Sequence, residues 1–294
     1  MPYKIVSIGE VLWDIFPGGA EIGGAPGNFA YHVNALGAEG IIVSAVGNDG
    51  RGKELLARFR EMGFDTRYIS VDEEHPTGIV SVTVDKEGKP TYDIRENVAW
   101  DFIKRTPALT RLAEKIDALC FGSLCQRSEV SRGTIQWLVK NAPSGKLKIF
   151  DINLRQSFYT WEMLDSSLRA ADVLKLNEEE LQKLAGFLKL NGNEVTLAKK
   201  LAEIYNIKYI ACTRGERGSF LLSGEKCFDH PGYKAEIVDT VGAGDAFTAA
   251  LTIGLLKGKD LDVINEAANR VAAFVCSRRG ATPAMPEELK LILD

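Results

Sequence analysis

The chain has 294 residues, of which 45% are hydrophobic and 26% charged, and its formal net charge at pH 7 is −4. This composition is typical of a globular protein and excludes a disordered, collagen-like or coiled-coil chain. The acidic balance disfavours general nucleic-acid binding, because no surplus of lysine and arginine exists to neutralise a phosphate backbone.

Short apolar runs alternate with amphipathic segments along most of the chain. The runs typical of buried strands cover residues 4–8, 41–46, 118–121, 148–152, 173–176 and 208–213. Apolar residues recur at helical spacing over residues 52–62, 131–141, 178–185, 195–205 and 246–256. Such alternation predicts a mostly parallel sheet covered by helices on both faces. Ligands bind to sheets of this kind at the carboxyl ends of the strands.

One region departs from this alternation. Residues 78–84 alternate apolar and polar side chains, residues 85–88 fit a turn, and residues 90–95 fit a returning strand. A second extended piece covers residues 11–16. We interpret these pieces as a small sheet that lies over the main sheet as a lid, formed by about residues 11–22 and 77–100; the alternative is an edge hairpin of the main sheet. Without a repeat or linker, a single domain over residues 1–294 is the simplest account.

Targeting and cysteine signals point to the cytoplasm. No apolar stretch reaches the roughly 20 residues that a membrane-spanning helix needs. The apolar run at the N-terminus is too short for a signal peptide and is interrupted by Glu10 and Asp14. The five cysteines are odd in number and show no CxxC spacing, which favours free thiols over a disulfide framework or a zinc site. We therefore expect a cytoplasmic protein that binds no membrane.

The most informative motif is the run of residues 239–247, DTVGAGDAF, at the start of an apolar helix. Glycines before a helix let backbone N–H groups converge, and the helix dipole adds partial positive charge, so Gly242, Ala243 and Gly244 are suited to bind phosphate. Asp245 is then a candidate general base beside that phosphate; the alternative is a carboxylate that caps the helix. The run is neither GxGxxG nor a Walker A loop, and a near-Walker match at residues 47–54 lacks the Ser or Thr that holds Mg²⁺.

A second glycine cluster, residues 23–28, opens another helix. The paired Gly23 and Gly24 allow a ligand to approach the backbone closely, and Asn28 can both donate and accept hydrogen bonds. With Asp14 nearby in the sequence, the cluster suits a polyhydroxylated ligand, because a carboxylate can accept hydrogen bonds from two adjacent hydroxyls. The alternative is a Gly-Pro turn with Asn28 as a local cap.

Taken together, these motifs resemble the PfkB-type (ribokinase-like) carbohydrate kinases. Residues 239–247 are similar to the C-terminal signature of that family, and residues 23–28, 35–38 and 46–52 resemble its N-terminal signature. Between them, residues 151–155, 177–180 and 213–218 fit its DxNxR, NxxE and TxGxxG elements in the expected order. The resemblance covers nearly the whole chain. It implies a three-layer α/β/α sandwich with a β-sheet lid, and an enzyme that transfers the γ-phosphoryl group of ATP to a sugar hydroxyl.

The resemblance also implies roles for single residues. Asp245 would take the proton of the sugar hydroxyl, and the backbone of Gly242, Ala243 and Gly244 would form the anion hole. The residues expected to bind the sugar are Asp14, Gly23, Gly24, Asn28, Arg95, Asn97, Arg155 and Asp245. The residues expected to bind ATP are Asn177, Thr213, Gly215, Gly218, Gly244 and Asn269.

Two metal sites follow from the same resemblance. Asn177 and Glu180 would organise Mg²⁺, largely through water, since Mg²⁺ keeps several of its waters in proteins; without the resemblance, the same pair reads as a helix-capping box. A monovalent cation such as K⁺ would be held by Asp239 and Thr240 with the backbone near Val275 and Gly280. Ala284 stands where ribokinases carry a serine ligand, which puts potassium dependence in doubt.

The form of the motifs predicts the sugar. Residues 9–14 and 23–28 resemble the fructokinase form, so the 6-hydroxyl of fructose is the expected acceptor. Arg95 keeps a 2-keto-3-deoxygluconate kinase open, and a ribokinase is the other alternative. A non-catalytic sugar-binding regulator is disfavoured by the intact Asp245, and a nicotinamide dehydrogenase by the lack of GxGxxG after the first strand. Exposed lid edges further predict a homodimer that pairs through the lid.

Overall fold

The structure of the chain, a computed structural model, describes residues 2–84 and 90–293. The strands are β1 Lys4–Ile8, β2 Leu12–Phe16, β3 Gly19–Gly23, β4 Glu39–Gly47, β5 Ile69–Asp72, β6 Gly78–Val84, β7 Pro90–Ile94, β8 Ala118–Phe121, β9 Leu147–Asp151, β10 Val173–Asn177, β11 Tyr209–Thr213, β12 Ser219–Ser223 and β13 Lys226–His230. The helices are α1 Ala25–Ala35, α2 Gly50–Glu61, α3 Pro107–Ala113, α4 Glu129–Asn141, α5 Trp161–Ala170, α6 Glu178–Leu188, α7 Glu194–Tyr205, α8 Ala243–Leu256, α9 Leu261–Cys276 and α10 Glu287–Lys290. Short 3₁₀ turns cover Thr66–Tyr68, Ala99–Phe102, Leu124–Arg127 and Gly215–Arg217.

A nine-stranded sheet forms the centre of the molecule, in the order β13-β12-β11-β10-β9-β8-β1-β4-β5. The strands from β11 to β5 in this order are parallel, and β12 and β13 add an antiparallel edge. The chain runs from β1 to β4 and β5 on one side, then returns to β8 on the other side of β1. The strand order therefore reverses between β1 and β8, and open α/β sheets bind ligands in the crevice at such a point.

Helices cover both faces of this sheet because successive strand residues point to opposite sides. Val6 and Ile8 of β1 belong to a buried cluster with side chains of helices α3 to α7. Ile5 belongs to a second cluster, packed against α1, α8, α9 and α10. The predicted three-layer α/β/α arrangement with a mostly parallel sheet is confirmed.

The pieces assigned to the lid form a sheet of their own, in the order β3-β2-β6-β7, and not an edge hairpin of the main sheet. The strands β2 and β6 are parallel, whereas β2 pairs with β3 and β6 with β7 antiparallel. Strand β3 was not predicted, because its glycines disfavour strands; it is held by pairing with β2. The turn predicted at residues 85–88 lies outside the described residues. Pairing of two lids in a homodimer stays a prediction.

Within residues 2–84 and 90–293, no helix combines the length and the apolar character needed to cross a membrane.

Candidate active site

A cavity of about 530 Å³, here called the substrate cavity, lies between the lid and the carboxyl edge of the main sheet. The lid contributes Leu12, Asp14, Phe16, Val80 and Ile94 to its wall. The main sheet and its helices contribute the predicted site residues Gly24, Asn28, Arg155, Gly242 and Asp245, together with Lys175. The fold thus brings together residues from four sequence regions that were assigned to one site.

A second cavity of about 1050 Å³, here called the nucleotide cavity, opens on the side of β11 and α9. Its wall includes five of the six residues predicted to bind ATP, which are Thr213, Gly215, Gly218, Gly244 and Asn269. The Nδ2 of the buried Asn269 donates to Ser219 Oγ at 2.8 Å, which fixes the orientation of this amide.

The two cavities meet at the turn before α8. Thr240 and Gly244 line both cavities. A group that spans the two cavities must therefore pass this turn, where the predicted anion hole lies. The N–H groups of Gly244 and Asp245 belong to the first turn of the helix, where such groups have no i−4 carbonyl partner.

The geometry of this turn requires glycine at position 242. Gly242 has a φ of +80°, and a Cβ atom there would lie 2.4 Å from the carbonyl oxygen of Ala281. At position 244, a Cβ would stand 3.1 Å from Lys175 Nζ. The glycines therefore let the loop around Ala281 and the Lys175 ammonium pack against the start of α8.

Asp245 lies in the first turn of α8, and Asn28 Nδ2 donates to its Oδ2 at 2.9 Å. Burial and the neighbouring Asp151 raise the pKa of Asp245 to about 6, against the lowering effects of Asn28, Lys175 and Arg155. At neutral pH the group is mostly ionised, yet it holds a proton more readily than an ordinary aspartate. Both properties suit a general base.

Lys175 is a site residue that the sequence analysis missed. Its Nζ lies 3.2 Å from Asp151 Oδ1, and Thr248 Oγ1 donates to Asp151 Oδ2 at 2.8 Å. Burial alone would lower the pKa of Lys175, but the carboxylates of Asp151, Glu180 and Asp245 raise it above its ordinary value. A positive charge is thereby held beside Gly244. The available signal was a lysine inside a strand predicted to be buried, since buried lysines are rare unless paired.

Asp14 reaches the substrate cavity from β2 of the lid. A Cβ on Gly23 would lie 2.2 Å from Asp14 Oδ2, so Gly23 leaves the room that this carboxylate occupies. Burial and the cross-strand neighbour Glu21 raise the pKa of Asp14 to about 6, while Arg155 lowers it. Gly24 also permits a close approach, because a Cβ there would lie 2.4 Å from the Glu10 carbonyl oxygen.

Asn177 and Glu180 form a helix-capping box, which was one of the two interpretations of this pair from the sequence. Glu180 N donates to Asn177 Oδ1 at 2.9 Å, and Asn177 N donates to Glu180 Oε2 at 2.8 Å. The other carboxylate oxygen, Glu180 Oε1, accepts from Leu154 N at 2.8 Å. Because both oxygens already accept backbone hydrogen bonds, this site fits Mg²⁺ held through water better than direct ligation. In the part of the chain that the structure describes, no cluster of three or more His, Cys, Asp or Glu side chains could hold a metal.

Of the residues predicted to hold a monovalent cation, Asp239, Thr240 and Gly280 lie on two joined loops and Val275 lies in α9. Asp239 Oδ1 accepts from Val241 N at 3.0 Å, and its Oδ2 accepts from Gly280 N at 3.0 Å. Val275, the last residue but one of α9, is fully buried. Asp239 and Gly280 are thus adjacent, and binding of a cation there stays a prediction.

Arg95 and Asn97 are placed differently from the other predicted sugar ligands. Both follow β7 and are exposed, whereas the preceding Ile94 lines the substrate cavity. The carbonyl oxygen of Arg95 accepts a hydrogen bond from Arg127 at 2.6 Å, which fixes the backbone at the end of the lid. Contact of these two side chains with a sugar stays a prediction.

The chain is similar to proteins of a known family. The pattern of the pfkB family carbohydrate kinases matches residues 18–288. The chain belongs to the pfkB family of carbohydrate kinases. This pfkB kinase is 34% identical over 278 residues to a sugar kinase of Pyrococcus horikoshii, with 91% of this chain and 85% of that protein covered.

Solved structures agree with this assignment. The crystal structure of the uncharacterised Pyrococcus horikoshii sugar kinase matches with a TM-score of 0.83 at 31% identity, covering 99% of this chain and all of the other. A structure of that protein in complex with ATP matches with a TM-score of 0.80 at 30% identity, covering 98% of this pfkB kinase and 99% of the other. A fructokinase from Escherichia coli is 27% identical over 304 residues, which cover 97% of each chain.

Proposed function

We propose that this pfkB kinase transfers the γ-phosphoryl group of ATP, bound with Mg²⁺, to the 6-hydroxyl of fructose. The observation that supports it most is the position of Asp245, which lines the substrate cavity directly beside the turn shared with the nucleotide cavity. A hydroxyl held by Asp245 would face a phosphoryl group that arrives from the other side of the turn.

The proposed chemistry needs little beyond positioning and charge stabilisation, because phosphoryl transfer passes through a loose transition state. Asp245 accepts the hydroxyl proton, and Asn28 keeps the carboxylate oriented through its hydrogen bond to Oδ2. The backbone N–H groups at the start of α8 and the Lys175 ammonium stabilise the negative charge on the transferring group. Bound Mg²⁺ would neutralise charge on the ATP phosphates, held through water near Asn177 and Glu180.

A neutral ketose fits the substrate cavity better than a sugar acid. Asp14 and Asp245 both line the cavity, so the carboxylate of 2-keto-3-deoxygluconate would meet like charges. Arg155 offers the opposite charge and keeps that substrate as an alternative, with ribose as the third. The similarity to fructokinase supports fructose.

The test of this function is ADP release coupled to a panel of acceptors. The panel contains fructose, ribose, 2-keto-3-deoxygluconate and fructose 6-phosphate, each with MgATP. We expect the highest kcat/KM with fructose and a product phosphorylated at its 6-position, read by phosphorus NMR. Preference for another acceptor would overturn the fructose assignment, and absence of turnover with every acceptor would favour the sugar-binding regulator.

Replacement of Asp14 by alanine should weaken sugar binding. We expect the KM for fructose to rise by about tenfold or more, since loss of a charged hydrogen bond costs roughly 1.5–3 kcal/mol. Steady-state kinetics at saturating ATP measure this change. The matched control is Asp93→Ala, which removes an exposed carboxylate from another lid strand, β7. If Asp14→Ala left the KM at its wild-type value, the sugar would have to bind elsewhere.

A further inference from the structure

A small inner cavity of about 20 Å³ lies at the carboxyl ends of β1 and β8, where the strand order reverses. Its wall includes the polar residues Glu10, Ser123, Asp151 and Asp245. Glu10 and Asp245 also line the substrate cavity, so the inner cavity adjoins the place where the sugar would bind. The cavity has room for one water, which needs about 10–15 Å³, and these polar side chains are available as its hydrogen-bond partners.

Glu10 is the side chain at this cavity that the proposed chemistry leaves unused. It lies two residues after the end of β1 and is only 6% exposed, which is rare for glutamate. The charged groups that act on it are Arg155, Arg127 and Asp245. The nearby thiols of Cys120 and Cys125 stay neutral, because burial raises their pKa well above the ordinary value.

The proton that Asp245 removes from the sugar must leave Asp245 before the next turnover. We propose that Glu10 receives this proton from Asp245 through one water in the inner cavity. The proposal rests on the proposed function, in which Asp245 is the base. The water takes the proton from the Asp245 carboxyl and gives one of its own to the Glu10 carboxylate. Asp245 thus returns to its ionised form, the water is restored, and Glu10 becomes a neutral carboxylic acid.

The environment of the two carboxyls allows this transfer. Burial and the charge of Asp245 raise the pKa of Glu10 to about 7, against the lowering effects of its backbone hydrogen bond, Arg155 and Arg127. The pKa of Asp245 is about 6. Both carboxyls can therefore hold a proton near neutral pH, so a proton can pass from one to the other. Glu10 can release it to solvent when the products leave.

The test uses Glu10→Gln, which keeps the shape of the side chain but cannot accept the proton, and Glu10→Asp, which keeps the carboxyl. At pH 8 we expect Glu10→Gln to lower kcat by roughly tenfold, with the KM for the sugar within about twofold of wild type. Below pH 6, kcat of the wild type should fall by up to about a hundredfold per pH unit, because two groups must be ionised, and kcat of Glu10→Gln by about tenfold. Glu10→Asp should keep the steep wild-type profile.

An acid limb of equal steepness and midpoint in Glu10→Gln and wild type would overturn the proposal, even if kcat were lower, because a purely structural role lowers kcat equally at every pH. If Glu10→Gln did not fold, the wild type and Glu10→Asp would decide. If kcat of the wild type and of Glu10→Asp fell by only about tenfold per pH unit below pH 6, the proposal would likewise be overturned. If the proposed function itself were wrong, a different result is expected. Asp245→Ala would then retain near-normal turnover, or no sugar would be phosphorylated.

Discussion

Replacing Asp245 by alanine is expected to lower kcat by at least ~10²-fold while the affinity for ATP stays nearly unchanged. The carboxylate lies in the substrate cavity, where it accepts a hydrogen bond from Asn28, and it does not line the nucleotide cavity. Its loss should therefore remove the proton acceptor without changing the groups around the nucleotide. Coupled ADP release with fructose gives kcat, and calorimetric titration with a non-hydrolysable ATP analogue gives the affinity.

The matched control is Asp262→Ala. Asp262 is likewise an acidic residue in the first turn of a helix, α9, but it lies at the surface and lines neither the substrate nor the nucleotide cavity. Both variants lose an acidic group near a helix N-terminus, so a general effect on helix stability would appear in both. Near-normal turnover of Asp245→Ala would remove Asp245 from the role of base.

Replacing Gly242 by alanine should lower kcat by roughly 10²-fold or more, the usual cost of losing a donor to a developing negative charge. The new Cβ would stand 2.4 Å from the Ala281 carbonyl oxygen and 2.7 Å from the Ala281 Cα. Both are backbone atoms, so the contact can be relieved only by moving the turn or the loop. Either shift changes where the N–H groups at the start of α8 point. Steady-state kinetics and thermal unfolding measure the two consequences separately.

Gly258→Ala separates this clash from backbone strain. Gly258 also has a left-handed conformation, with a φ of +66°, but an added Cβ would meet no atom within 4 Å. The strain of alanine in this conformation, about 1 kcal/mol, is therefore common to both variants. We expect Gly258→Ala to lose stability and keep its kcat. Equal kcat values in the two variants would show that the packing of Gly242 against Ala281 does not shape the site.

The overall fold could be predicted because its signals are local and repeated. The buried parallel strand β8, for example, is a continuous apolar run, and Gly122 follows it at the carboxyl edge of the sheet. That edge collects Asp151, Asn177 and Thr213 from three neighbouring strands. The short distance between Asn28 and Asp245 followed only from the motifs and the family resemblance, since the two lie 217 residues apart.

The features that the sequence analysis missed depend on strand pairing and side-chain neighbours that exist only in the folded protein. Strand β3 is rich in glycine and becomes a strand only by pairing with β2. Lys175 and Glu10 stand inside or beside apolar runs, where a charged residue looks like an interruption of the pattern. Lys175 matters because it bonds to Asp151, and Glu10 because the charge of Asp245 acts on it. No spacing in the sequence predicts either interaction.

Three carboxyls around the substrate cavity, those of Glu10, Asp14 and Asp245, have pKa values raised above the ordinary range. Each folded-state pKa exceeds its unfolded value, so these three groups bind more protons in the folded protein, and their contribution to its stability decreases as pH rises from about 4 to 7. The hydroxyl groups of a bound sugar donate hydrogen bonds to ionised carboxylates and so favour the ionised form of these groups. Sugar binding should therefore protect the enzyme against heat more strongly in mildly alkaline than in acidic buffer. The bound acceptor would then help to hold the ionised site together.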